Sequence, residues 1–273
     1  MNSHIDITEF LARTERLLVI TGAGCSTGSG IGDYRDEQGR WKRTQPVQHE
    51  AFMSSHAWRQ RYWARSQLGY PEFMAAQPNS AHQVLADWER RGGVMGLITQ
   101  NVDRLHQQAG HRRVIDLHGR LDQVICMSCG DVVPRAVLQA WLDARNTSVD
   151  PLHFELAPDG DADIKDADFS GIAVPECQRC GGIMKPHVVF FGDAVPKSRV
   201  EQAYAWVDHA DAVLVVGSSL MVYSSFRFVR RAHEAGIPIA AINKGKTRAD
   251  DKLTLKLEGD CGQLLECLAN VWV

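Results

Sequence analysis

The 273-residue chain predicts an α/β fold: a parallel sheet with helices on both faces, carrying a smaller metal-binding appendage. Three observations lead there. Short apolar runs alternate with helical patterns, as parallel strands covered on both faces require. Residues 17–20, Leu-Leu-Val-Ile, run straight into Thr21-Gly22-Ala23-Gly24, and glycine recurs at Gly28, Gly30, Gly32 and Gly39. A glycine turn after a strand lets backbone N–H groups approach a phosphate closely. Two Cys-x-x-Cys pairs then interrupt the α/β pattern, Cys126/Cys129 and Cys177/Cys180.

Composition bounds the function. Net charge of −3 argues against electrostatic capture by nucleic acid or an anionic membrane. No apolar run approaches the roughly 18–20 residues of a membrane helix. The N-terminus has neither a basic nor an apolar leader region, which sets a cytoplasmic location as the expectation. Seven cysteines, an odd number, speak against a disulfide scaffold.

In chain order, residues 5–14 read as a helix, with Ile7, Phe10 and Leu11 at helical spacing. Strand 17–20 and the glycine loop follow. Residues 46–73 are helical but rich in aromatic and basic side chains; with no single apolar stripe, they predict short helices around a cleft. Residues 79–91 form a clearer helix. Residues 94–99 are a second buried strand, ending at Gln100-Asn101-Val102-Asp103, from which a helix runs to Ala109 and stops at Gly110. A third strand spans 114–117 and ends at His118. Residues 135–144 are helical. Residues 146–174 are polar and acidic and read as an insertion with little core of its own. Beyond the second cysteine pair come strand 187–191, helix 197–209, strand 212–216 ending in Gly217-Ser218-Ser219, helix 223–234, strand 238–242 ending in Asn243, strand 253–257 and helix 262–271. The polar motifs sit at strand C-terminal ends, where open α/β sheets bind ligands.

The four paired cysteines match tetrahedral zinc, and each pair is followed by a glycine suited to a tight turn. Forty-seven residues separate the pairs, and the acidic insertion accounts for the excess over common spacings. Four thiolates complete the shell, so the metal is expected to be structural. The glycine loop misses the dehydrogenase fingerprint: Thr27 stands where a third glycine belongs, and Asp33, Asp36 and Glu37 lie inside the loop rather than after a second strand. His118 has a pKa suited to acid/base work. Ser26, with no base beside it in the motif, reads as a ligand contact.

TGAGCSTGSGIGDYR, TQNVDRLH, DLHG, the cysteine pairs, KPHVVFFGD, VGSSLMVY and AIN together resemble a sirtuin, over nearly the whole chain. QRYWAR, HGRLDQVICMSCG, APDGD and INKGKTRADD are most similar to class II sirtuins, notably the mitochondrial lipoamidase-type branch and its bacterial relatives. The resemblance implies a Rossmann-like NAD-binding domain (1–40, 77–120 and 186–273), a helical cofactor-loop and acyl-pocket insertion (41–76), and a small zinc domain (121–185). It implies an NAD-dependent protein-lysine deacylase: nicotinamide leaves, the acyl oxygen attacks the ribose, and His118 takes a ribose hydroxyl proton. Free lysine and O-acyl-ADP-ribose result. Mono-ADP-ribosyl transfer, NAD hydrolysis and a non-catalytic NAD sensor are the alternatives.

The resemblance also implies roles. His118 and Asn101 are catalytic. Gly22, Ala23, Gly24, Ser26, Asp33, Tyr34, Arg35 and Trp41 belong to the loop that closes over NAD, its tail 28–41 acting as a lid. Gln100, Asn101, Val102 and Asp103 serve the ribose and nicotinamide; Gly217, Ser218, Ser219, Asn243, Lys244, Gly245 and Cys261 serve the phosphates and adenosine. Val189, Phe191, Gly192, Val222 and Tyr223 pair with the substrate backbone. Tyr62 and Arg65 read a carboxylate on the acyl chain. Cys126, Cys129, Cys177 and Cys180 hold zinc. Gly32 stands where the family has proline, so Gly32→Pro is expected to lower the NAD KM; an unchanged or higher value sinks that idea. Acyl preference, protein targets and oligomeric state are not read from the sequence.

Overall fold

The computed structural model describes residues 6–42, 46–147, 154–164 and 168–272. In chain order the elements are α1 (Ile7–Ala12), β1 (Leu17–Thr21), α2 (His49–Ser54), α3 (His56–Ala75), α4 (Ser80–Arg90), β2 (Val94–Thr99), α5 (Leu105–Gln108), β3 (Val114–Asp116), β4 (Gly119–Cys126), β5 (Val132–Pro134), α6 (Arg135–Arg145), β6 (Glu155–Leu156), β7 (Ala162–Asp163), β8 (Met184–Val188), α7 (Lys197–His209), β9 (Ala212–Val216), α8 (Tyr223–Glu234), β10 (Ile239–Ile242), β11 (Leu255–Leu257) and α9 (Cys261–Cys267). Among the described residues no helix is long and apolar enough to cross a membrane.

Six strands form one sheet in the order β11-β10-β9-β1-β2-β3, and every pairing in it is parallel. All five residues of β1 are buried because helices cover both faces. The two-residue strand period divides its side chains. Leu17 and Val19 pack with Phe10, Leu11, Leu85, Trp88 and Leu265. Leu18 and Ile20 pack with Val207, Phe228 and Val229 on the other face. Burying each such side chain is worth about 1.5–3 kcal/mol. Strand β1 lies between β9 and β2, so its C-terminal loop meets both of theirs.

Several sequence expectations change, among them the helix expected over 262–271, which is α9 and ends at Cys267. The strand expected at 187–191 is β8, Met184–Val188, and it leaves the parallel sheet to pair antiparallel with β4 in a three-stranded sheet β5-β4-β8. The run VVFF has strand composition, but residues after Val188 turn away to border the cleft. The short helices expected over 46–73 are α2 and one 20-residue helix, α3. No stripe is legible in α3 because it is packed on several sides: Phe52 and Phe190 meet Tyr62, and β6 and β7 also pack on it. Pro71 lies inside this helix without breaking it. It cannot bond the Gln67 carbonyl four residues back, and Gln139 Nε2 donates to that carbonyl at 2.9 Å instead.

Helix α5 is short and begins only at Leu105, because Arg104 takes a left-handed conformation just before it. The acidic insertion falls partly outside the described residues; its described part forms the β6–β7 hairpin, docked on α3. Residue 5, expected in the first helix, also lies outside them.

Candidate active site

Loops from the C-terminal ends of β1, β2, β3, β9 and β10 converge on one cleft of about 420 Å³. Its floor is backbone against backbone. The N–H of Gly22 donates to Val216 O at 3.2 Å, and that of Gly24 to Gly217 O at 2.9 Å. A Cβ on Gly24 would sit 2.9 Å from Gly217 O, and one on Gly217, at φ +60°, only 2.2 Å from Cys25 N. Only glycine permits both the approach and the left-handed turn.

His118 borders the cleft. Its Nδ1 lies 3.1 Å from the Gln100 carbonyl and its Nε2 2.7 Å from Ser224 Oγ. A carbonyl oxygen only accepts, so Nδ1 carries the proton and Nε2 accepts from the serine hydroxyl. Burial pushes the imidazole down to about 4, with the cationic Arg199 and Arg227 pushing the same way. The ring is therefore neutral near pH 7, with its Nε2 lone pair held by Ser224 and open to a proton from another hydroxyl of the cleft only where Ser224 gives way.

A second polar group forms beside it. Ser26 is fully buried and donates to Asp103 Oδ2 at 2.7 Å. Asn101 Nδ2 donates to Ser26 Oγ at 3.0 Å and to Gly22 O at 3.1 Å. His82 Nε2 lies 3.4 Å from the same hydroxyl. Ser26 is thus a hub that fixes Asn101 and Asp103, beyond the ligand contact expected of it. Burial raises the Asp103 carboxyl, while the Leu105 N–H and the Ser26 hydroxyl oppose that shift. Gln100 joins the loops by donating to Ser218 Oγ at 2.8 Å and accepting from Ser225 at 2.8 Å.

Most sequence-predicted residues meet in this cleft: Ala23, Asp33, Tyr34, Arg35, Trp41 and Val102 line it, as do Ser219, Asn243, Lys244, Val189, Phe191, Gly192 and Val222. Arg35 is held over the Trp41 ring, 4.2 Å from its centre, and donates to Gly39 O at 2.7 Å. Cys261 borders an adjoining pocket with Gly24, Gly217 and Asn243. Gly245 lies against the glycine loop: a Cβ there would be 2.4 Å from Glu37 O, and Lys246 N–H donates to the same oxygen at 2.9 Å. Tyr223 starts α8 and is 46% exposed outside the cleft.

Tyr62 and Arg65 are not brought together as a carboxylate reader. Tyr62 is 3% exposed and packed against Phe52, Trp63 and Phe190. Arg65 Nε donates to Ala162 O at 2.7 Å, and Asp159 and Asp161 of the hairpin face its charge. Neither residue lines the cleft. The Tyr-x-x-Arg spacing is legible in sequence; the hairpin that occupies the arginine is not. Ser224, His82 and Arg227, unassigned in the sequence analysis, all bear on the site. His82 had a readable signal, since Asn79 three residues before it completes a capping box at the start of α4.

The four paired cysteines converge, with all four sulfurs within 4.8 Å of one another. Cys126–Cys180 and Cys129–Cys177 sulfur separations are 3.5 and 3.7 Å. A tetrahedral ZnS₄ shell with Zn–S near 2.3 Å needs about 3.8 Å between sulfurs, so these residues fit zinc. All four protein positions are filled, which leaves zinc a structural role. The cleft fits a dinucleotide by the same kind of test: a glycine floor, the Ser218 hydroxyl, the Gln100 and Asn243 amides and the Asp103 carboxylate lie at adjacent strand ends.

A parallel sheet whose strand ends form a cleft fit for a dinucleotide, a half-buried neutral histidine on its border and a four-cysteine module define a dinucleotide-binding protein with a structural metal module. The family profile described as the Sir2 family matches residues 22–224. The chain is 57% identical over 267 residues to an NAD-dependent protein deacetylase of Xanthomonas axonopodis pv. citri, covering 98% of this chain and 91% of that one. It is 48% identical to the bovine mitochondrial NAD-dependent protein lipoamidase sirtuin-4, covering 95% and 84%. A solved Sir2–p53 peptide–NAD⁺ structure superposes with a TM-score of 0.76 at 27% identity, covering 96% and 95%. The chain belongs to the Sir2 family, the sirtuins, and is an NAD-dependent protein deacylase that uses NAD as co-substrate.

Proposed function

We propose that this deacylase acts on acyl-lysine side chains of proteins, with His118 as the general base. The observation that carries the reading is the His118 imidazole: neutral, its Nδ1 proton anchored to Gln100, its Nε2 aimed into the cleft beside Ser224. Asn101 and Asp103, fixed through Ser26, orient the ribose hydroxyls and the nicotinamide amide. Gly22 to Ser26, Gly217, Ser218, Ser219, Asn243 and Lys244 receive the phosphates and adenosine half; Cys261 borders the same end and Gly245 braces the loop above it. The loop carrying Asp33, Tyr34, Arg35 and Trp41 acts as the lid. The substrate backbone lies as an added strand between Val189, Phe191 and Gly192 on one side and Val222 on the other. The hydroxyl proton passes to His118 Nε2 as the acyl group is transferred. The domain division is that of a Rossmann-like NAD-binding domain, a helical insertion and a small zinc domain, with Trp41 at the cleft.

The test is a panel of acyl-lysine peptides (acetyl, succinyl, glutaryl, lipoyl, methylglutaryl) with NAD, measuring nicotinamide and free lysine together. Equal amounts of both are expected. In His118→Ala, lysine release is expected to fall by about 10²–10⁴. Nicotinamide release without free lysine would overturn the reading in favour of NAD hydrolysis or ADP-ribosyl transfer.

A further inference from the structure

One cation lining the cleft, Arg227, has no carboxylate partner among the described residues, and its nearest counterpart is the Tyr223 ring at 5.5 Å. Arg227, one turn into α8, lines the cleft with His118, Ser224 and Val195. Its Nε is buried and has no hydrogen-bond partner. The other cations lining the cleft are engaged. Arg35 donates to Gly39 O, and Lys244 pairs with Glu37 at 3.2 Å. The carboxylates of the cleft are directed elsewhere: Asp103 to Ser26, Asp33 to Lys42, Asp36 to Arg40, Asp193 to Lys185, while Asp159 faces Arg65. Among the described residues no ion pair involves Arg227.

Leaving a buried guanidinium N–H without an acceptor is unfavourable, because water is removed and nothing replaces it. Its surroundings are also positive. Arg199 shares its electrostatic reach to His118, and Arg227, Arg230 and Arg248 surround the exposed Tyr223 ring at 5.5, 5.6 and 5.9 Å. A rigid fork of N–H donors in a positive, partly dry site is built to take a carboxylate. Arg65, the residue whose spacing suggested that role, is held by the Ala162 carbonyl.

We infer that Arg227 binds a carboxylate carried by the substrate, and that it sets a preference for acidic over neutral acyl-lysine substrates. The inference rests on the acyl-lysine reading of the cleft. The carboxylate has two sources: the far end of a dicarboxylic acyl group, which would reach Arg227 past His118, or an acidic side chain flanking the lysine, which would meet it from the Tyr223 side.

The experiment compares two matched pairs of peptides. One pair carries glutaryl-lysine or pentanoyl-lysine in a neutral sequence. The other carries acetyl-lysine flanked by glutamate or by glutamine. Wild type, Arg227→Met, Arg227→Lys and Arg65→Met are assayed for kcat/KM with NAD, and for peptide binding by fluorescence anisotropy without NAD. Wild type is expected to favour the acidic member of one pair, which identifies the source. Arg227→Met should cut that acid-to-neutral ratio about tenfold in both readouts, Arg227→Lys should cut it less, and Arg65→Met should leave it unchanged. No acid preference in wild type, or equal losses on both members in Arg227→Met, would overturn the inference. Absence of turnover on every peptide would instead count against the acyl-lysine reading, and the binding readout would still decide the role of Arg227.

Discussion

At the scale of single residues, His118, the base proposed for the reaction, takes its protonation state from its surroundings. A free imidazole titrates near 6.5, but burial here lowers the pKa to about 4. The neutral, proton-accepting form therefore persists as pH falls, and the acid limb of kcat/KM is expected below pH 6. Ser224 contributes by donating to Nε2, a bond that only the neutral ring accepts. Ser224→Ala removes that bond together with the one the same Oγ would accept from a protonated ring, so the acid limb is expected to stay within about 0.5 pH unit of wild type while kcat/KM falls. A shift of a full pH unit would show that Ser224 sets the protonation of the imidazole, and an unchanged kcat/KM would remove it from the site. The sequence made His118 visible because it ends a strand beside a ligand loop. It gave no hint of Ser224, which lies 106 positions away and meets the histidine only when α8 is seated against the sheet. The same reason hid Arg227. Arg65 shows the reverse case, a readable spacing whose arginine is taken by a distant carbonyl.

At the scale of elements, packing decides what propensity cannot. Gly69 lies inside α3, where alanine would ordinarily gain about 1 kcal/mol of helix stability. Here the backbone of the 157–163 hairpin crosses it: an added Cβ would be 2.4 Å from Gly160 O and 2.7 Å from Ala162 N. Gly69→Ala is therefore expected to destabilise by about 1–3 kcal/mol and to free Arg65 from its carbonyl partner. A raised melting temperature would show that the hairpin yields at no cost. Gly32 is the opposite kind of site. A Cβ there meets nothing within 4 Å, and its φ is not among the positive ones. Gly32→Pro thus has room, and the expected reduction in NAD KM through a stiffer loop keeps its structural basis. Strands β2 and β9 and helices α7 and α8 run between the limits their patterns predict, because each has one buried face or two and so follows a simple period. Helix α3, packed on several sides and crossed by Pro71, follows none.

At the scale of the whole molecule, buried histidines couple stability to pH. His82, His106 and His111 form a row behind Ser26, with ring centres 4.7 and 5.3 Å apart. Burial lowers all three pKa values, with His82 at about 4; Glu89 opposes the shift at His111. A histidine whose folded pKa lies below its unfolded value binds its proton more readily when unfolded. Its contribution is complete above about 6.5 and is lost as pH falls through the folded pKa. For His82 alone the linkage is worth about 3 kcal/mol. Burial raises the Asp103, Asp159 and Asp161 carboxyls, which stabilise in the opposite sense as pH falls, so the change in urea midpoint between pH 7 and pH 5 is compared with that of His82→Gln: a larger drop is expected in wild type, and equal drops would contradict a neutral His82. The row adjoins Ser26 and, through it, Asp103, so NAD binding should weaken over the same interval.

What the sequence determined by itself is local and periodic. The alternation of strand and helix specified a parallel sheet, the glycine loop specified which strand end lines the cleft, and the two Cys-x-x-Cys pairs specified a cysteine cluster that fits zinc. Each is carried by residues a few positions apart, so each can be read before folding. Only the tertiary structure decided that the residues after Val188 turn away to border the cleft, that Arg65 is held by a carbonyl and that Arg227 has no carboxylate partner among the described residues. It also placed Ser224 against the base. Those outcomes depend on carbonyls, hydroxyls and backbone segments brought together from distant parts of the chain. A side chain's type states what it can bind, while its partners in the folded protein state what it is still free to bind.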